Sequence, residues 1–257
     1  MFIPLYYQLV SAYHPISDYQ TNVVVATPSP SVLGVSTTSP AIPTNVGGEG
    51  KMITIAVLGD SMIQTLGPDM LPLKKSLQKY FPEHAFYLAN FGQSATTIDK
   101  AANKLPDIIA LKPDIVVVES FAYNNFGNTQ SGYDLQWQNL SNITSKIKAS
   151  LPNTKIVLST TIAPNSVTFA NGVKDMNLSA LDKVERTKTI KLYLQNLVKF
   201  ATSQGFPLAN AYQSSLVHNE GNPQLISSTD FLHPSESGKN FFSEILASTL
   251  SQNKLVN

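Results

Sequence analysis

The chain has 257 residues with 18 basic and 17 acidic side chains, a formal net charge of +1. That length suits one sizeable α/β domain plus extra segments, and the balanced charge gives no electrostatic reason to expect nucleic acid or an anionic membrane as a partner. Cysteine is absent, which excludes disulfides, thiolate metal sites and a cysteine nucleophile while leaving the redox compartment open.

Residues 1–21 begin with an apolar stretch from Met1 to Val10 that lacks the basic flank and long core of a signal peptide. They read as an N-terminal arm, either packing against the domain or left from a targeting or anchor segment. No run of 18 or more apolar residues occurs, so a complete transmembrane helix and stable membrane insertion are not expected. Residues 22–50 are built from Val, Thr, Ser, Pro and Gly, with Pro28, Pro30, Pro40 and Pro43 and no charge before Glu49. Such a segment cannot bury enough apolar surface to fold alone and reads as a linker. Ser/Thr/Pro-rich tethers of this kind point to an extracellular or cell-envelope location. Residues 51–257 then form the folded domain.

The first strand is the run from Met52 to Leu58, whose Ile53, Ile55, Val57 and Leu58 mark a buried parallel strand. It ends in Gly59-Asp60-Ser61, a strand-turn-helix junction that presents a hydroxyl where free backbone N–H groups converge. Asp60 or Ser61 could equally serve as a plain helix cap. Met70, Leu73, Leu77 and Phe81 recur at helical spacing, which predicts a helix over 66–80. A second strand follows over 84–92, ending in Gly92, and then a helix to about Leu111 that Pro106 disturbs. Residues 113–119 form a third strand with the polar segment 119–127 at its carboxyl end. A helix over 133–151, a fourth strand over 155–161 and an irregular stretch over 164–179 come next, the last long enough to be a functional loop. A long amphipathic helix over 181–204, a weak fifth strand over 206–211, a loop over 221–234 and a closing helix over 235–250 complete the chain. Strands alternating with helices indicate βαβ units and a parallel, doubly wound sheet. Ligands of such sheets bind at the carboxyl ends of the strands, which gathers Ser61, Gly92, Asn124 and the late loop on one edge.

A serine hydroxyl is a poor nucleophile unless a base removes its proton, and histidine titrates close enough to neutrality to do so. His233 is the candidate base. Asp230, three residues upstream, can reach the other imidazole nitrogen, fix the tautomer and stabilise the imidazolium. Taken alone, a histidine before a proline is also read as a capping or core residue, and the same holds for His14, His84 and His218. No second histidine or carboxylate stands at ligand spacing, so neither a metal nor a cofactor is expected.

Together, Gly59-Asp60-Ser61, Gly92, Asn124 and Asp230-x-x-His233-Pro234 resemble the four ordered blocks of the SGNH hydrolases, the GDSL esterase/lipase superfamily, over roughly residues 52–250. The resemblance implies a flavodoxin-like three-layer α/β/α sandwich with five parallel strands. It implies Ser61 as nucleophile, His233 as general base and then acid, and Asp230 as its orienting partner. It also implies an oxyanion hole from Ser61 and Gly92 N–H groups and the Asn124 side chain. The third block departs from the usual Gly-x-Asn-Asp: it reads Ala122-Tyr123-Asn124-Asn125, which leaves a register choice between Asn124 and Asn125, with Asn124 preferred. Glu119 and Ser120 are unusual polar residues at a strand end and read as a supporting network. The expected function is a serine esterase acting on a small-molecule or carbohydrate ester, such as an O-acetyl group, or on a lipid ester. An acyltransferase with the same triad, and a non-catalytic carbohydrate-binding or adhesion module on the same fold, are the alternatives.

Overall fold

In the computed structural model, residues 51–256 are described. The expected arm and linker, residues 1–50, lie outside them. The first strand, β1 (Met52–Gly59), leads into a single helical turn, α1 (Ser61–Gln64), and then into α2 (Leu71–Tyr80). The sequence predicted one helix over 66–80. Gly67, at φ 82°, and Pro68 break it, because neither the left-handed backbone nor a proline ring continues a helix. β2 (Ala85–Gly92) is followed by α3 (Ile98–Ala101) and α4 (Leu105–Leu111), joined by a 3-10 turn. Pro106 lies in the first turn of α4, where its missing N–H costs nothing.

β3 (Ile115–Glu119) and α5 (Gln130–Ser150) precede β4 (Lys155–Thr160), and residues 164–179 then cross to α6 (Ala180–Gln204) without regular helix or strand. Ser179 starts α6 in a reciprocal capping box with Asp182. The weak fifth strand is shorter than expected, β5 (Leu208–Asn210), because Asn210 already caps the short α7 (Ala211–Ser214) by accepting from the Gln213 N–H. A small antiparallel hairpin, β6 (Leu216–Val217) and β7 (Glu220–Gly221), was not expected from the sequence. The chain closes with α8 (Glu236–Gln252), capped by Ser235.

Strands β1 to β5 form one parallel sheet in the order β2-β1-β3-β4-β5. This is the flavodoxin-like order, whose reversal beside β1 opens a crevice at the carboxyl edge. Alternate residues of one strand serve different cores, since successive side chains point to opposite faces. Ile53, Ile55 and Val57 of β1 pack with Leu73 and Leu77 of α2 and with Phe242, Leu246 and Leu250 of α8. Ala56 and Leu58 pack on the other face with Ile98, Ile108, Leu140, Ile143, Leu197 and Phe200, from α3 to α6. Helices therefore cover both faces, giving the expected three layers. Burial of each large aliphatic side chain contributes about 2 kcal/mol, and this two-sided packing makes β1 a rigid base for the turn that follows it. Among the described residues no helix is long and apolar enough to cross a membrane.

Candidate active site

β1 ends in the sheet at Gly59, and Ser61 is the first residue of α1. The turn between them needs glycine: a Cβ at Gly59 would lie 2.2 Å from Ile63 Cγ1. Asp60, fully buried, is the cap of α1, and its Oδ1 accepts from the Met62 N–H at 2.9 Å. This leaves Ser61, 9% exposed, at the edge of the sheet.

The late loop supplies its partner from 172 residues away in sequence. His233 Nε2 lies 3.0 Å from Ser61 Oγ, and His233 Nδ1 lies 2.7 Å from Asp230 Oδ2. The other oxygen, Asp230 Oδ1, accepts from the Leu232 N–H at 2.9 Å and the His233 N–H at 3.1 Å. One carboxylate thus builds the turn with one oxygen and orients the ring with the other, which is why a spacing of three residues suffices. An ionised carboxylate only accepts, so Nδ1 carries the proton and Nε2 is left to accept from the Ser61 hydroxyl. Partial burial pushes the Asp230 carboxyl up, but the His233 ring and the two N–H groups outweigh it and hold it below its ordinary value. It is charged throughout the neutral range.

Residues 164–179 hold this loop from outside. The Ala170 N–H donates to Phe231 O at 3.0 Å and the Gly172 N–H to Asp230 O at 3.4 Å, while Phe231 adopts a left-handed backbone, φ 54°. The contact at Gly172 is close enough that a Cβ there would lie 1.8 Å from Thr229 O. Gly172→Ala is therefore expected to push the loop aside, lowering stability by about 1 to 3 kcal/mol. It should also lower kcat/KM by on the order of 10- to 100-fold through misplacement of Asp230. Thermal melts and ester kinetics check both; an unchanged kcat/KM would show that residues 164–179 do not position the loop.

The structure separates the two asparagines. Asn124 Nδ2 donates to Asp60 Oδ2 at 2.9 Å, which places its amide beside the Ser61 turn. Asn125 instead closes its own turn, donating to Ala122 O and accepting from the Gly127 N–H, both at 2.9 Å. Gly92 ends β2 opposite Gly59 in the register. A Cβ at Gly92 would lie 2.3 Å from Gln64 N, so glycine is required there for packing against α1. Its N–H donates to Asn90 Oδ1 at 2.8 Å. Two residues beyond Gln93, Ala95 holds a left-handed backbone, φ 50°, and its N–H has no partner among the described residues.

Glu119 and Ser120 do form the buried network their position suggested. Both are fully buried, and Glu119 Oε2 accepts from the Phe121 N–H at 2.8 Å and, more weakly, from the Asp60 N–H at 3.5 Å. Its other oxygen is hydrogen-bonded to Ser120 Oγ. Burial, then the neighbouring Asp60 charge, pushes the Glu119 carboxyl well above its ordinary value. Burial likewise raises Asp60 to about 6, against the lowering pull of the Met62 N–H and the Asn124 amide. A carboxyl raised in this way keeps in the folded state a proton that the unfolded chain releases, so its contribution to stability falls as pH rises through the carboxyl range. Glu119→Gln has no such proton to lose. It is expected to melt increasingly above the wild type as pH goes from 5 to 8, each 1 kcal/mol appearing as about 2 to 4 °C; a gap that shrinks with pH would mean an ionised Glu119.

Among the described residues no cluster of three or more His, Asp or Glu side chains could hold a metal ion. Fold and site together define an α/β protein of the doubly wound class with a hydroxyl–imidazole–carboxylate chain at the carboxyl edge of its sheet. The model of the GDSL-like lipase/acylhydrolase family matches residues 57–240, and the chain belongs to that family. Similar solved structures include a lipase/acylhydrolase from Enterococcus faecalis, 16% identical over 78% of this chain and 96% of that one, TM-score 0.55. Another is a catalytic mutant of an acetylxylan esterase from Geobacillus stearothermophilus, 16% identical over 80% and 95%, TM-score 0.53. A third is a GDSL-like lipase from Bacteroides thetaiotaomicron, 17% identical over 78% and 88%, TM-score 0.52. These likenesses establish a shared fold. No curated protein sequence matches the chain.

Proposed function

We propose that the protein is a serine esterase that cleaves carboxylic esters through an acyl-enzyme on Ser61. The observation that carries this reading is the chain from Ser61 Oγ to His233 Nε2 at 3.0 Å and from His233 Nδ1 to Asp230 Oδ2 at 2.7 Å. Ser61 Oγ attacks the acyl carbon as its proton passes to His233 Nε2. Asp230 stabilises the imidazolium, and His233 then gives the proton to the departing alcohol oxygen. A water molecule, deprotonated by His233, attacks the acyl-enzyme, and the carboxylic acid leaves.

The negative oxygen of the tetrahedral species needs preorganised donors. The Ser61 N–H, which has no partner among the described residues, and the second N–H of the Asn124 amide fill that role. Gly92 is the third donor we assign, once its N–H leaves Asn90 Oδ1. Residues from four separate segments thus converge on one acyl group.

The substrate class we favour is a small acyl ester, such as acetyl on a carbohydrate. Membership of an acylhydrolase family and a fold shared with an acetylxylan esterase support it. A panel of p-nitrophenyl esters from acetate upward tests the reading, together with labelling by a fluorophosphonate probe. Rapid labelling at Ser61 and highest kcat/KM on the acetate are expected. A folded protein that neither labels nor turns over any ester would overturn it, and a preference for long chains would replace acetyl by a lipid acyl group.

A further inference from the structure

Asp60 and Glu119 are two carboxyl groups with no exposed surface, directly beneath the nucleophile turn, and the proposed chemistry uses neither. Every polar atom they carry is engaged. Glu119 sits at the end of β3 and reaches the Asp60 N–H in the turn after β1 and the Phe121 N–H in its own loop. Phe121 needs such a hold, because it is a non-glycine residue at φ 54°, a left-handed backbone that L side chains adopt only at a cost. That bend starts the 3-10 turn Ala122–Asn124, and so sets where the Asn124 side chain emerges. Asp60 completes the connection from the other side, holding Asn124 Nδ2 at 2.9 Å.

We propose that Asp60 and Glu119 are positioning residues that act as one clamp: Glu119 ties the Ser61 turn to the Phe121 bend, and Asp60 aims the Asn124 amide at the acyl oxygen. Glu119 works as a neutral acid, with Oε2 accepting two backbone N–H groups and the protonated oxygen facing Ser120 Oγ. Asp60 works as the charged partner, accepting from Asn124. The remaining ionisable groups around this pair are Tyr123, from the 3-10 turn, and His233, from the late loop. A single negative charge is thus shared out in one direction: two buried carboxylates side by side cannot both ionise, and the one bonded to the amide keeps the charge.

This inference rests on the esterase reading, and labelling of the wild type by the fluorophosphonate probe separates the two. If wild-type Ser61 does not label, the esterase reading fails first. Given a reactive wild type, Asp60→Asn places an NH2 group against the Asn124 NH2 and should lower kcat by roughly 10- to 100-fold with KM within a few-fold. Added to Asn124→Ala it should lower kcat no further, since there is no amide left to aim. Full additivity in that double variant would overturn the clamp. Asp60→Ser, which still accepts from the Met62 N–H but cannot reach Asn124, serves the same cycle should Asp60→Asn not fold. For Glu119, alanine should depress kcat and glutamine should restore it, because the amide accepts the same two N–H groups and donates to Ser120. A Glu119→Gln variant as inactive as the alanine variant would show that the ionised carboxylate is required and would overturn the neutral-acid role.

Discussion

Ser61→Ala is expected to abolish fluorophosphonate labelling and to lower kcat/KM for p-nitrophenyl acetate by on the order of 10⁴-fold or more, with the fold and melting temperature almost unchanged. The size of the loss follows from the geometry. Ser61 Oγ is the group that meets His233 Nε2, at 3.0 Å, and alanine leaves the imidazole with no hydroxyl to activate. His233→Ala should cost about as much, and the double variant no more than either single one, because members of such a relay fail as a unit. The comparison is informative for stability too. Ser61 is 9% exposed and its side chain does not build the turn, whereas Asp60 beside it does. A large kinetic loss without a thermal one is therefore the signature of a group that acts on the substrate. Retention of ester turnover in Ser61→Ala would transfer the reaction to another nucleophile and overturn the mechanism.

Asn124→Ala is expected to lower kcat by on the order of 10²- to 10³-fold, about 3 to 4 kcal/mol of barrier, with a smaller change in KM. An oxyanion donor stabilises charge that exists only in the transition state, so its loss falls on kcat. Asn125→Ala supplies the contrast. Its amide closes a turn through Ala122 O and the Gly127 N–H, so its removal should cost about 1 to 2 kcal/mol of stability while kcat stays within a few-fold. The reverse pattern, with Asn125 kinetic and Asn124 structural, would move the side-chain donor one residue along and undo the assignment of Asn124.

Much of the architecture was legible in the chain because it depends on short-range pattern. The β-branched run over β1 and the helical spacing in α5, α6 and α8 follow from which side chains must be buried, and a parallel sheet follows from their alternation. The helix predicted over 66–80 failed at Gly67-Pro68, where backbone geometry overrode apolar spacing. Asp230 and His233 were legible for a different reason: they lie in one loop, where local Asx-turn geometry brings them together. Their meeting with Ser61 could be expected only from the rule that strand ends gather at one edge.

The partners of the remaining groups were not legible, since they depend on contacts between segments remote in sequence. Asp60 read as a possible helix cap and nothing more. In the folded chain it holds Asn124, 64 residues away. Gly92 read as a free donor, and the fold commits its N–H to Asn90 while packing its Cα against α1. The stretch over 164–179 read as a loop of undetermined role, and the fold lays it against Asp230. The sequence by itself determined the layers of this protein, the hydroxyl at the end of β1 and the acid–base pair in the late loop, because periodicity and local turn chemistry are written in neighbouring residues. Only the tertiary structure decided which asparagine reaches Asp60 in the turn before Ser61, which backbone N–H groups stay free and what the buried carboxyls hold, because hydrogen-bond partnership depends on distances that close when the sheet assembles.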